Sequence, residues 1–323
     1  MVPNLGPARR RMDLMASVSR SSGLEKDGDD LKNHKTQEEY RDFIQEKLDA
    51  VLKNHPWTVN ETEDAKKQRL YEQENVLILF RKLREGVASA ARTDDFALEV
   101  YETSFFLSII FESPKQTTAI IQHLIPSPPS TTTPFKNASI FVPLCSLLHH
   151  LVASYPSQGT YHQHLDTIPE SLLPRKSEHA SWVFDIAKSL RRRNYAKFAY
   201  LSKKETLVSV LGSEQQEPAT DVPATTKPLA KFGKQALFVL LNLLRQKAAS
   251  TAWTILRASY RELACNPGND DTRTWLVNSM CLDSVLSFVP STDLDKWLHE
   301  QESSGHLRAK EGADGRWIVC KVR

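Results

Sequence analysis

Apolar residues recur at helical spacing along most of the chain. Tyr40, Phe43, Ile44, Leu48 and Val51 share one face of a helix predicted over Thr36 to Leu52. Thr36 and Glu39 have capping-box spacing at its start, and Pro56 follows its end. A longer helix is predicted from Glu63 to Arg84, closed by Gly86, with Leu70, Val76, Leu77, Phe80 and Leu83 toward the core. Asp94 to Phe111 carries the stripe Phe96, Val100, Thr103, Leu107 and Ile110. Pro114 to Leu124 and Phe141 to Ser154 read as further helices. Between Trp182 and Lys204 the pattern breaks once. Val183, Ile186, Ala187 and Leu190 make one stripe, Arg191-Arg192-Arg193-Asn194 interrupts it, and Tyr195, Phe198 and Leu201 restart it. Arginines in a last turn meet the negative end of the helix dipole, and Asn is a common left-handed stop. Lys231 to Lys247 and Ser250 to Ala264 predict a helix pair. Leu237, Leu240, Leu241 and Leu244 line one member; Trp253, Leu256, Tyr260 and Leu263 line the other.

Three stretches lack such stripes. Residues 1–34 are polar and mixed in charge, as in a disordered tail. Residues 127–134 and 213–228 read as flexible inserts. The last fifty or so residues change character. Helices fit Thr272 to Met280 and Thr292 to Glu302, the second with Thr292 and Asp295 at capping-box spacing. His306 to Lys310 and Arg316 to Val322 alternate like strands across the turn Glu311-Gly-Ala-Asp-Gly315. Helices followed by a two-stranded ribbon read as a winged helix. The expected fold is therefore mainly α. A helical-repeat domain over residues 35–265, with helix pairs succeeding one another as in a solenoid, precedes a winged helix with a small β-hairpin over residues 270–323.

Composition supports this reading. The 323 residues are 40% hydrophobic with only 11 glycines, which points away from sandwiches and doubly wound sheets. Cys145, Cys265, Cys281 and Cys320 lie far apart with no CxxC pair, so neither a disulfide framework nor a zinc module is expected, and a reduced intracellular compartment fits. No apolar run approaches the roughly 20 residues of a membrane span. Arg9, Arg10, Arg11 and Arg20 with nearby serines imitate a mitochondrial presequence, but Asp13 and the acidic run from Glu25 to Asp30 oppose it. Met12 and Met15 are alternative starts to Met1.

Charge is uneven. Residues 175–204 hold nine basic and two acidic side chains, and residues 175–247 carry +8 on a chain whose total is +3. Lys188, Arg191, Arg192, Arg193, Lys197, Lys203 and Lys204 would form a basic belt, continued after the insert by Lys227, Lys231, Lys234, Arg245 and Lys247. Such a belt suits RNA phosphates, an acidic protein partner, or a plain solvated face. Other constellations point to less. Glu99 and Glu102 are helix-face neighbours without a nucleophile. Cys145, His149 and His150 have helical ligand spacing, and His162 and His164 sit in an expected loop after Gly159; buried thiol and ordinary histidines explain them better than a metal. Asp293, Asp295, Glu300 and Glu302 against Lys296 make the last predicted helix acidic, which suits subunit contact rather than a DNA groove. Trp297 and Leu298 are expected in its core. No phosphate loop, GxSxG or HExxH occurs, so no catalytic residue, cofactor or metal is expected.

Three segments resemble a known family. Phe96-Ala-Leu-Glu-Val-Tyr-Glu-Thr103 is similar to an F-x-x-E-V-Y-E-x helix, Asn194-Tyr195-x-x-Phe198-x-x-Leu201 to an N-Y-x-x-F-x-x-L segment, and Ala258-Ser259-Tyr260-Arg261 to the K-A-Y-R-like end of a helix pair. Together they resemble the GANP-type (SAC/GANP) mRNA-export scaffolds of the PCI superfamily, which also includes subunits of the proteasome lid, the COP signalosome and an initiation factor. The likeness covers roughly residues 65 to 320, and the family's cysteine-proline entry motif is missing. It implies a PCI-like superhelix capped by a winged helix, a nuclear and also cytoplasmic location, and a hetero-oligomer with PCI-type subunits and a small acidic subunit. RNA would lie on the basic face. The alternative it leaves open is a protein-binding subunit of a lid-, signalosome- or initiation-factor-like assembly that takes no RNA.

Overall fold

The computed structural model describes residues 12, 30–55, 61–125, 138–212, 226–266, 268, 270–286 and 290–321. The structure is mainly helical with one small antiparallel sheet. Of the expected tail, Met12 and residues 30–34 are described, the latter with a short 3-10 turn at Asp30–Lys32 and a buried Leu31, and the rest lies outside the described residues. So do the whole insert at 127–134 and the second insert from 213 to 225. The described residues fall into two compact units, one within Met1–Ser139 and Thr225–Phe232, the other within Ile140–Ala224 and Gly233–Arg323.

In the first unit α1 (His34–Asn54), α2 (Glu63–Ser89), α3 (Asp95–Ile110) and α4 (Pro114–Leu124) pack in succession. The α1 stripe is buried as its periodicity predicts. Its cap is Asn33 and not Thr36, because the Asn33 Oδ1 accepts the backbone N–H groups of Lys35 at 2.9 Å and Thr36 at 3.3 Å. Gly86 does not close α2, which runs on to Ser89. A Cβ there would lie 2.7 Å from the Leu31 Cβ, so the glycine permits close packing inside the helix. Leu70 is 46% exposed, against expectation, since α2 buries nothing before Gln73. In α3 burial is not a stripe: every residue from Val100 to Phe111 is buried, as in a core helix.

The second unit holds α5 (Phe141–Ser154), α6 (Gly159–Thr167), α7 (Glu178–Arg191), α8 (Tyr195–Leu201) and α9 (Lys204–Leu211). It also holds α10 (Thr226–Ser259) from Gly233 onward. The expected helix pair is one continuous helix of 34 residues. Gln246-Lys247-Ala248-Ala249-Ser250 contains neither Gly nor Pro, so nothing stops propagation. Leu237, Leu241, Leu244, Ala248, Ala252 and Leu256 continue one buried stripe along it.

β1 (Glu262–Ala264), α11 (Asp270–Ser279), α12 (Leu294–Ser303), β2 (Leu307–Ala309) and β3 (Arg316–Val319) complete the unit. The strand order is β1-β3-β2, with both pairings antiparallel. The sequence pattern assigned β1 to a helix end; Leu263 instead pairs with Trp317. Leu263, Leu307, Trp317 and Val319 are buried. Gly315, at φ +70°, lets the chain pass where a Cβ would stand 2.4 Å from the Asn266 Cα. Asp293, not Thr292, caps α12, because its carboxylate accepts from the Asp295 and Lys296 backbone N–H groups.

Candidate nucleic-acid interface

The charged corner between α7 and α8 is set by backbone geometry. After Arg191 the chain turns through Arg193 at φ 54°, so the left-handed residue is Arg193 and not the expected Asn194. The backbone N–H of Asn194 donates to the Ser189 carbonyl at 2.8 Å, satisfying a helix-end acceptor. Asn194 then caps α8, its Oδ1 accepting the Lys197 N–H at 3.0 Å. Beneath the corner the expected core is present. Val183, Ile186, Phe198 and Ala199 are buried, and the Trp182 indole donates to the Leu201 carbonyl at 3.0 Å. Phe198→Ala should lower unfolding free energy by about 3–5 kcal/mol, since a fully buried ring would leave a cavity. Chemical denaturation reads this directly; a loss under about 1 kcal/mol would contradict the packing.

The predicted belt separates into groups. Lys188, Arg191, Arg192 and Arg193 are exposed before α8, while half-buried Lys203 and exposed Lys204 follow its other end. At 1.5 Å rise per residue the intervening helix spans about 10 Å. Among the described residues the guanidinium groups of Arg191, Arg192 and Arg193 join no ion pair and donate no hydrogen bond. Lys197 is engaged, with Nζ 2.9 Å from the Asp185 carboxylate. Lys234 is half-buried on α10, whereas exposed Lys231 belongs to the first unit. The Lys227 side chain lies outside the described residues.

Two expected continuations of the belt are structural. Arg245 is buried and ion-paired with Asp283, because α10 turns that side chain inward. Lys247 donates from Nζ to the Val152 carbonyl at 2.5 Å, at the negative end of α5.

A groove of about 460 Å³ opens beside the corner, lined by Arg192, Arg193, Leu256, Tyr260, Trp275 and Met280 among others. Packing of α8 on α11 brings Trp275 there. The Tyr260 and Trp275 rings lie 5.7 Å apart at 52°, and both remain exposed, 47% and 38%. Periodicity placed Tyr260 in a core stripe; α10 instead ends at Ser259, and Tyr260 leaves that face. Trp275 carried no sequence signal, because its helix has only one fully buried apolar residue, Leu276. No family model, curated protein or solved structure matches the chain.

The remaining constellations resolve separately. Glu99 accepts two hydrogen bonds from Arg41, at 2.8 and 3.1 Å, and one from the Thr103 hydroxyl. Glu102 is buried, accepts the Ser139 N–H at 2.5 Å, and is pushed up to about 7 by desolvation. The two carboxylates serve different partners.

His164 is not in a loop: Gly159 begins α6, and His164 is buried with its ring 4.4 Å from that of His150. Its Nε2 lies 3.0 Å from the Ser146 hydroxyl. Cys145 is buried, and burial raises its thiol pKa. Among the described residues no group of three His, Cys, Asp or Glu side chains is placed to hold a metal ion. None of their helices is long and apolar enough to cross a membrane. Leu298 is buried as expected, and Trp297 meets Trp253 edge-on at 4.9 Å.

Proposed function

We propose that the chain is a non-enzymatic scaffold of a nuclear mRNA-processing or export complex, docking PCI-type subunits and RNA. The observation that carries the RNA reading is the exposed arginine row at the α7–α8 corner, without an ion pair among the described residues, beside an open groove. Phosphates release counterions on meeting such groups, and that release drives binding. The order β1-α11-α12-β2-β3, with the sheet order β1-β3-β2, supports a winged helix at the C-terminal end of the helices. On α12 Asp295 is paired with Arg273, and the exposed acid Glu300 supports subunit contact through that module.

The test is charge reversal of Arg192, Arg193, Lys203 and Lys204 to Glu, with RNA affinity followed across a salt series. The reversed protein should keep its thermal transition and lose RNA binding. The wild type should show a steep slope of log affinity against log salt. Each single reversal should flatten it by roughly one unit. Unchanged RNA binding after the fourfold reversal would place the site elsewhere. A wild type that binds no RNA but retains an acidic protein would favour the protein-only assembly subunit.

A further inference from the structure

The groove at the α7–α8 corner differs from a plain basic face. It combines two features that phosphate binding alone does not require. One is the pair Tyr260 and Trp275, large aromatic side chains left 47% and 38% exposed against each other. The other is an apolar lining, with Leu256 and Met280 buried at 4% and 3%. An exposed Trp–Tyr pair beside apolar side chains costs free energy in water unless a flat apolar partner covers it. The charge beside it restricts which partner. Arg192 and Arg193 line the same groove and, among the described residues, have no acidic partner. An occupant must therefore bring a flat apolar face and a negative charge within one small volume. A nucleotide does so, with base and phosphate joined through a sugar. The groove's volume of about 460 Å³ lies in the range of small-ligand sites, roughly 300–1,000 Å³.

We propose that this groove is a base-stacking subsite for single-stranded nucleic acid, with a base against Trp275 and Tyr260 and its phosphate on Arg192 and Arg193. This rests on the RNA reading above and adds strand state and position to it. In a duplex the base faces are covered by neighbouring pairs, so only an unstacked base can enter. Recognition by ring faces is tolerant of sequence, because every base has one.

The probe is a fluorescein-labelled oligouridylate, measured by anisotropy against wild type, Trp275→Ala, Trp275→Phe and Arg192→Glu/Arg193→Glu, with a duplex of equal length alongside. Trp275→Ala should weaken single-strand binding about 5- to 150-fold, the range for one stacked base. Its salt slope should stay unchanged, since no phosphate contact is lost. Trp275→Phe, which keeps a ring, should restore most of the affinity and controls for folding. Duplex binding should not respond to Trp275→Ala. The arginine reversal should weaken both ligands and flatten both slopes.

Wild-type RNA binding that Trp275→Ala leaves intact overturns the stacking subsite and spares the RNA reading. Equal losses for single strand and duplex overturn it likewise. Absence of any RNA binding overturns both. Polyglutamate displacing the oligonucleotide at equal charge concentration would show that the face takes an acidic protein segment, and would also overturn it.

Discussion

Acidification from pH 7 to pH 4 should unfold the second unit ahead of the first. Desolvation holds His149 down at about 4 and His164 at about 3, and lowers His150 as well. The unfolded chain takes up protons near the ordinary histidine value of 6.5, while these folded sites refuse them. The linkage sign follows: stability is full above 6.5 and falls as pH drops toward the folded values. At about 1.4 kcal/mol per pKa unit, His149 and His164 each withdraw roughly 3 kcal/mol by pH 4. The rings interact, so the two losses are not additive, but either one is a sizeable share of an ordinary domain's stability, about 5–15 kcal/mol. The first unit carries the opposite trend at Glu102. Its raised value means stability present below 4.5 and lost as pH rises through about 7. His123 there, on the exposed side of α4, is lowered by desolvation and so shifts in the histidine sense. Hydrogen exchange read by mass spectrometry at stepped pH separates the two units. Peptides of α5 and α6 should lose protection below about pH 5, while α3 peptides keep it. His164→Gln should reduce the acid sensitivity. Full protection of α5 and α6 at pH 4 would show that the histidines are hydrated.

What was legible in the sequence follows a physical division. The helices α1, α4 and α5 have strong stripes and clear ends, so local periodicity locates them within a few residues. The exposed arginines of the α7–α8 corner and the buried Phe198 were legible for the same reason, since both follow from one local turn. Events set by distant chain were not. Leu263 pairs in β1 because Trp317 arrives more than fifty residues later. Gly86 looked like a stop because its packing partner, Leu31, lies outside any local window. His164 was misplaced because Gly159, read as a breaker, opens α6. The groove belongs to the same class. Tyr260 and Trp275 are exposed because of where α10 ends and α11 lands on α8, and helical periodicity says nothing about faces left uncovered.

Arg245→Ala should destabilise the second unit by about 5 kcal/mol, beyond what the loss of a surface arginine explains. Arg245 is 2% exposed. Its Nη1 donates to the Ser202 hydroxyl at 2.6 Å and the Ala199 carbonyl at 3.2 Å. Its Nη2 donates to the Asp283 carbonyl at 3.0 Å and to the Asp283 carboxylate. One guanidinium thus ties α10 to the end of α8 and to the segment after α11. Removing it strands a partly buried carboxylate and several oxygen acceptors. That desolvation penalty, rather than the Coulomb energy of the pair, sets the magnitude. Arg245→Lys should recover only part of the loss, because an ammonium lacks the planar fork that meets both sides. Arg245→Met combined with Asp283→Leu separates the penalty from the interaction. If stranded polar groups dominate, the double variant should be more stable than Arg245→Ala by about 1–3 kcal/mol. Denaturant melts of the four proteins provide the comparison. A loss below about 1 kcal/mol for Arg245→Ala would mean that water reaches the pair, returning Arg245 to the basic surface.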